Sequence, residues 1–399
     1  MSRLEQLLGE LCPDGVPFRA LGEIGTVVRG KRFVKDDMID VGVPCIHYGE
    51  IYTKYGVSAT ESYSFTSPER AMTLRFAQPG DVIMASAGET IADIGKSVAW
   101  LGDDPIVIHD ACYAYSSPLD PEYVSYYFSS RSFRDQIKQH ISSSKISSIS
   151  TQSVAKARIP VPPLDVQREI VRILDVFTEL EAELETELRA RREQYKHYQD
   201  QLLTFTDEAV DWGMLGDIGR ISMCRRVFKA ETTSIGDVPF FKIGTFGGEP
   251  DAFITRDLYN DYRSRYPFPK PGEVLISAAG TIGRTVVYDG APGYFQDSNI
   301  VWIENDESVV SNAYLRYWYR VVQWRTDGGT IRRLYNDNIR RAKIAVPRKS
   351  EQDRIVRVLD AFEALVNDRR IGLPAEIAAR RKQYTYYRDK LFNFEEAAS

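Results

Sequence analysis

The stretch Gly88-Glu89-Thr90-Ile91-Ala92-Asp93-Ile94-Gly95-Lys96-Ser97 ends in Gly-Lys-Ser, as does a loop that cradles nucleotide phosphates. Its spacing does not fit that motif. A phosphate loop needs a glycine five residues before the Gly-Lys-Ser glycine, and Thr90 stands there. The corresponding later segment, Gly280-Thr281-Ile282-Gly283-Arg284-Thr285, is shorter still. Both read as glycine-turned hairpins. Each carries a cation behind its last glycine, Lys96 or Arg284, where it can meet a phosphate backbone. The histidines His47, His109, His140 and His197 are dispersed and have no metal-binding spacing. His109-Asp110 with Cys112 has the residue types of a nucleophilic site. The second half puts Gln296-Asp297 and Asn299 in the matching place, so structural histidines are expected. There is no GxSxG elbow, no glycine-rich cofactor loop and no Asn-Pro-Pro-aromatic tetrapeptide. Absence of all of these in a duplicated chain favours a binding protein, with no catalytic and no metal residue of its own.

Basic residues suggest what is bound. Lys31-Arg32 and Arg225-Arg226 occupy equivalent places in the two halves. Upstream of two long apolar-periodic runs lie Lys145 with Gln152, and the denser Arg332-Arg333…Arg340-Arg341, among which sit Tyr335, Asn336 and Asn338. Arg and Asn pair bidentately with guanine and adenine edges, and neighbouring Lys or Arg can hold phosphates. With Lys96, Lys242 and Arg284 these form the candidate DNA-binding set. A net charge of −5 does not oppose this, because a local basic face decides nucleic-acid binding.

The elements that must position these residues come from a repeat spanning the chain. Pro162, Gln167, Ile170, Val171, Leu174, Asp175 and Phe177 recur at one constant offset as Pro347, Gln352, Ile355, Val356, Leu359, Asp360 and Phe362. Tyr195 and Tyr198 recur as Tyr384 and Tyr387. In the first copy Val166, Ile170, Ile173, Phe177, Leu180, Leu184, Leu188, Arg191, Tyr195, Tyr198, Leu202 and Phe205 alternate spacings of three and four, with one stutter between Leu184 and Leu188. Pro163 fits the start and Asp165 can cap it. A helix from about residue 165 to 205 would be on the order of 60 Å long at 1.5 Å per residue. Such a rod suits a two-helix coiled coil, with its own copy as partner. In the second copy Gly372-Leu373-Pro374 predicts a kink or break. Four additional residues between Asp360 and Arg380, relative to Asp175 and Arg191, return the seam to its face.

The globular segments repeat more weakly. Leu21-Gly22-Glu23-Ile24-Gly25 returns as Leu215-Gly216-Asp217-Ile218-Gly219, and Val43-Pro44 as Val238-Pro239. Pro79-Gly80-Asp81-Val82-Ile83 returns as Pro271-Gly272-Glu273-Val274-Leu275. Tyr123…Tyr126-Tyr127 returns as Tyr314…Tyr317-Trp318-Tyr319. Short apolar runs at residues 43–48 and 80–86 predict strands, and Pro121 to Gln139 a helix. The fold class is α+β: a tandem duplication of an α/β domain plus a long helix. The divisions are 1–158, 159–206, 207–343 and 344–399. The 399 residues suffice for several cores, and 43% apolar with 27% charged residues is globular. No signal peptide or membrane-spanning run is seen, and the dispersed Cys12, Cys45, Cys112 and Cys224 fit a reducing cytoplasm.

Pro162-Pro163-Leu164-Asp165-Val166-Gln167 and Leu373-Pro374-Ala375-Glu376-Ile377…Arg380…Gln383-Tyr384…Tyr387-Arg388 resemble the conserved helical regions of type I restriction–modification specificity subunits. Of the first motif, the second copy keeps only Pro347 and Gln352. The resemblance spans essentially the whole chain and is specific in the helices. It implies two target-recognition domains, each reading one half of a split site in double-stranded DNA. It implies an antiparallel helix pair that acts as a ruler. Two methyltransferase subunits would dock there, on Gln167, Arg191, Tyr195, Tyr198, Gln352, Arg380, Tyr384 and Tyr387. They would bind S-adenosylmethionine and methylate adenine N6. A restriction subunit, where present, would use ATP and magnesium. Three other readings stay open. A fused nuclease–methyltransferase partner would show in the gene neighbourhood. A nucleotide-binding enzyme would show in a binding assay, and a coiled-coil adaptor would show no DNA binding.

Overall fold

The computed structural model describes residues 2–142, 147–206, 210–326 and 332–397. The chain divides into two compact units: Met1–Glu185 with Glu376–Ser399, and Thr186–Ala375. Each combines one globular half, the first turns of its own long helix and turns of the other helical copy.

In the first unit, one five-stranded sheet runs Thr26–Arg29, Cys112–Ser116, Val82–Ala85, Ser97–Trp100, Ser58–Ala59. A second runs Met38–Ile39, Ser64–Thr66, Val43–Ile46, Ile106–Ile108, Phe76–Ala77. Strand Val82–Ala85 is buried on both faces: Val82 and Met84 join one core, Ile83 and Ala85 another. That explains its unbroken apolar sequence, since a strand covered on both faces needs no alternation. The second unit repeats the device, with Val274 and Ile276 in one core and Leu275 in the next. Its main sheet runs Gly219–Ser222, Ile300–Asn305, Val274–Ser277, Thr285–Val287, and a smaller one Phe253–Ile254, Val238–Phe241, Tyr294–Phe295.

Both expected hairpins form. Ser97 pairs with Met84 and Thr285 with Ile276, in antiparallel register. Gly95 donates to the Ala85 carbonyl and Gly283 to that of Ser277. Their φ angles of +88° and +82° explain the glycine at each turn.

The tyrosine-rich helix is two helices, Pro121–Ser129 and Arg131–Lys138. Ser130, extended at φ −69° and ψ 157°, ends one and caps the other through its hydroxyl, which accepts from Phe133 N. A serine cap satisfies an otherwise orphaned N–H, and this local gain competes with continuing the helix. The long helix covers Leu164–Leu202, so Asp165 lies in its first turn rather than capping it. The second copy is broken: Lys349–Asn367 and Leu373–Leu391 are separate helices. Pro374 falls in the first turn of the latter, where its missing N–H costs no hydrogen bond.

The first turns of the predicted seam belong to the globular cores. Val166, Ile170 and Leu174 are fully buried in the first unit, as are Ile355 and Leu359 in the second. Helix pairing begins farther along. In the first unit Phe177 stacks on Tyr387 at 5.5 Å, while Arg381 binds Glu181 and Glu185. Residue numbers rise on one helix as they fall on the other, so the pair is antiparallel. In the second unit Tyr198 stacks on Phe362 at 5.2 Å.

The Pro…Gln signature is an internal lock. Gln167 Oε1 accepts from Asp120 N at 2.9 Å, and its Nε2 donates to Pro162 O at 2.7 Å. Gln352 accepts from Ser311 N at 2.9 Å and donates to Pro347 O at 2.9 Å. Both are buried, which corrects their expected place on a docking surface.

Candidate nucleic-acid interface

Each unit carries a cleft built by the same elements. In the first, Thr26–Arg29 leads into a chain segment that turns through the 3-10 helix Lys35–Asp37. Asp37 accepts from Val34 N at 2.9 Å and fixes that turn. Across the gap, strand Val43–Ile46 ends just before His47, and His109 N donates to Ile46 O. These segments enclose about 1290 Å³, lined among others by Arg32, Phe33, Lys35, His47, Tyr48, His109, Asp110 and Ser150. In the second unit the 3-10 helix is Lys229–Glu231, fixed by Glu231 accepting from Phe228 N at 2.7 Å. Strand Val238–Phe241 ends just before Lys242, and Gln296 N donates to Phe241 O. About 610 Å³ is enclosed, lined among others by Arg226, Phe228, Lys229, Lys242, Gln296 and Asp297.

Three of the four histidines, His47, His109 and His140, line the first cleft, contrary to their dispersal in the sequence. The His47 and His109 rings lie 4.4 Å apart, with Tyr48 at 4.3 Å from His47 and Phe33 edge-on to His109 at 5.1 Å. Burial, then the neighbouring His109, pushes His47 down to about 4, so it is neutral near pH 7. Burial likewise lowers His109, against the opposing pull of Asp110. The Asp110 carboxylate stands 3.2 Å from His109 Nδ1, which also accepts from Ala111 N at 3.1 Å. With a neutral ring the Asp110 contact is not an ion pair.

The predicted DNA-binding residues separate into groups. Lys31 is exposed but donates to Thr73 O at 3.1 Å, whereas Arg32 faces the first cleft. Arg225 lies over the Tyr266 ring at 5.3 Å, and Arg226 pairs with Asp297 at 3.2 Å in the second cleft. Lys242 pairs with Asp251 at 2.8 Å. Lys96 is not a free cation on a hairpin tip: it pairs with Asp93 at 3.0 Å and lies over Tyr52. Arg284 is exposed and donates to Phe246 O at 2.9 Å. Gln152 is exposed beside Thr151 of the first cleft, while Lys145 lies outside the described residues. Arg333 and Asn336 line a separate recess of about 330 Å³. Arg332 and Arg341 are exposed and Asn338 is half-buried. Arg340 lays its stem on Gly216, leaving little room for a side chain there, and turns its guanidinium to Asp337 at 3.4 Å. The recess is the counterpart of the Ser150 side of the first cleft, since Ile149 N donates to Ser86 O and Leu334 N to Ala278 O.

Of the expected docking residues, Tyr195 accepts from Arg320 at 3.0 Å, and Tyr198 and Tyr387 stack on phenylalanines. Tyr384 packs on the first unit's main core. Arg191 and Arg380 pair with Glu187 and Glu376, each at 3.5 Å. These aromatic groups therefore serve the fold first. Sequence reasoning missed Phe33, Lys35, Tyr48, Phe228 and Lys229, and read His47 as structural. The recurring Val-Pro pair offered the signal, because the residue closing each strand after it reaches a cleft.

A duplicated α+β chain with a helical region after each domain, unbroken in the first copy and split in the second, and an equivalent cleft in each unit defines a class, and comparison places it. The chain belongs to the family of the type I restriction modification DNA specificity domain, which matches residues 13–193 and again 209–379. A putative type I restriction enzyme specificity subunit of Haemophilus influenzae is 50% identical over 245 residues, 59% of this chain and 63% of that protein. The EcoR124I/EcoR124II specificity subunit of Escherichia coli is 34% identical over 62% of this chain and 65% of its own length. The matched region thus spans a little under two thirds of either relative. A solved chain from a study of assembly and conformational transition of the type I R-M system has a TM-score of 0.63 at 18% identity, covering 96% of this chain and 98% of that one. The S subunit from M. genitalium gives 0.53 at 13% identity, covering 95% and 96%. These two share the fold.

Proposed function

We propose that this chain is the DNA-reading subunit of a type I restriction–modification assembly and carries out no reaction itself. Segments 1–158 and 207–343 are the readers, one for each half of a split duplex site. Segments 159–206 and 344–399 set the gap and dock two adenine-N6 methyltransferase subunits, which supply the S-adenosylmethionine site. A restriction subunit, where the system has one, brings ATP and magnesium. The assembly works on DNA in the cytoplasm, and no described helix is long and apolar enough to cross a membrane.

The observation that carries this reading is the repetition of a cation-lined cleft in both units of a chain from this family. Arg32 and Lys35 line the first, and Arg226 and Lys229 the second. Cations at a cleft mouth suit phosphates, and polar groups deeper in suit base edges. Repeated readers also match a two-part site on a duplex. The test is co-expression with the methyltransferase from the same operon, followed by single-molecule mapping of methylated adenines. A split motif with a fixed gap, lost when this chain is omitted, is expected. Methylation that persists unchanged without the chain overturns the proposal.

A further inference from the structure

The two clefts differ in an ordered way. At the mouth the chemistry is repeated: Arg32 and Arg226 occupy the same place before the 3-10 turn, and Lys35 and Lys229 open that turn. Deeper in, the chemistry diverges. The residue that closes the strand is His47 in one cleft and Lys242 in the other, each one residue beyond the strand end. Its cross-strand neighbour is His109 in one and Gln296 in the other, held by the same backbone hydrogen bond to the strand's last carbonyl. In a duplicated reader, groups that grip any duplex can stay alike, whereas groups that read bases must differ when the half-sites differ.

We infer that His47 and Lys242 are the base-reading residues of the two clefts, each fixing the sequence of one half-site by donating a hydrogen bond to an acceptor edge such as guanine N7 or O6. This rests on the function proposed above and assigns its specificity to two side chains. Both are pre-positioned as donors. His47 Nδ1 accepts from Gly49 N at 3.3 Å, which leaves Nε2–H for a ligand. Lys242 is steadied by Asp251, and Gln296 Oε1 accepts from Ile243 N at 2.9 Å, turning its amide N–H groups outward as further donors. An ammonium or a ring N–H pairs with purine N7 or guanine O6 and finds no partner at cytosine N4.

The test uses the assembled complex with its methyltransferase and maps the methylated motif for His47→Asn, Lys242→Met and Arg32→Ala. Asparagine keeps an acceptor for Gly49 N, so the local turn is retained. His47→Asn is expected to relax stringency roughly tenfold or more in one half of the motif only. Lys242→Met should relax the other half only. Arg32→Ala should lower methylation at all sites without changing the motif. An intact split motif in both the His47→Asn and Lys242→Met variants, or both altering the same half, overturns the inference while leaving the chain a reader. A motif that does not depend on the chain at all overturns the underlying function instead.

Discussion

Gln167 and Gln352 illustrate how one residue type can be placed in sequence and mistaken in role. Their recurrence identified the repeat, yet burial turns both inward, where each amide joins the start of a long helix to backbone groups ahead of a tyrosine-rich helix. Truncating either side chain would strand a half-buried N–H and a buried carbonyl. Gln167→Ala and Gln352→Ala should each cost about 2–4 kcal/mol, read as a lower denaturant midpoint. A docking role would instead weaken methyltransferase association with stability intact. His47 makes a second prediction. Its folded pKa lies near 4, below the 6.5 of the unfolded chain, so the unfolded state takes up the proton first. Stability is then full above pH 6.5 and falls as pH drops towards 4. The urea midpoint should decline across that window, and His47→Asn should flatten the decline. Proximity of His47 and His109 was illegible in the sequence because a parallel pairing between strands distant along the chain creates it.

The elements were more legible than the site. Strand and hairpin signals survive because burial on two faces writes continuous apolar runs, and a tight turn writes glycine at Gly95 and Gly283. The heptad spacing found the long helix but misassigned its first turns. A helix face buried in a domain core and one buried against another helix leave the same period. The break before Leu373 was foreseeable from Gly372 and Pro374, whereas the division at Ser130 was not, since a serine cap looks like any exposed serine. At the opposite end of the second helical copy, Phe392 is buried and meets the rings of Tyr123 and Tyr127 at 5.2 and 5.3 Å. Phe392→Ala should therefore destabilise the first unit by about 3–5 kcal/mol, measured by hydrogen exchange at amides of residues 121–129. Protection unchanged there would mean that the contact contributes nothing to that core.

For the molecule as a whole, duplication was the strongest signal in the sequence, and the sequence-stable part of it lies in the helices because both copies perform the same packing. The clefts diverge in the residues that follow each strand, so beyond the repeated Arg and Lys of the 3-10 turns their equivalence appears in hydrogen-bond register. If the helices set the spacing between half-sites, deleting Leu184–Glu187 removes about one turn, near 6 Å. The preferred gap in the methylated motif should then shorten by about two base pairs, at roughly 3.4 Å each. An unchanged gap in a complex that still assembles would show that the helices do not act as a ruler.

The two units also differ in continuity: Thr186–Ala375 is one uninterrupted stretch, whereas Met1–Glu185 needs Glu376–Ser399. On the ribosome, this makes the order of completion opposite to the order of synthesis. The second unit has all its residues once Ala375 emerges. The first, although translated earlier, must wait with the Tyr123 and Tyr127 surface uncovered until Phe392 arrives. Such waiting exposes apolar surface to aggregation and to chaperones, and that risk grows with slow translation of the intervening segment.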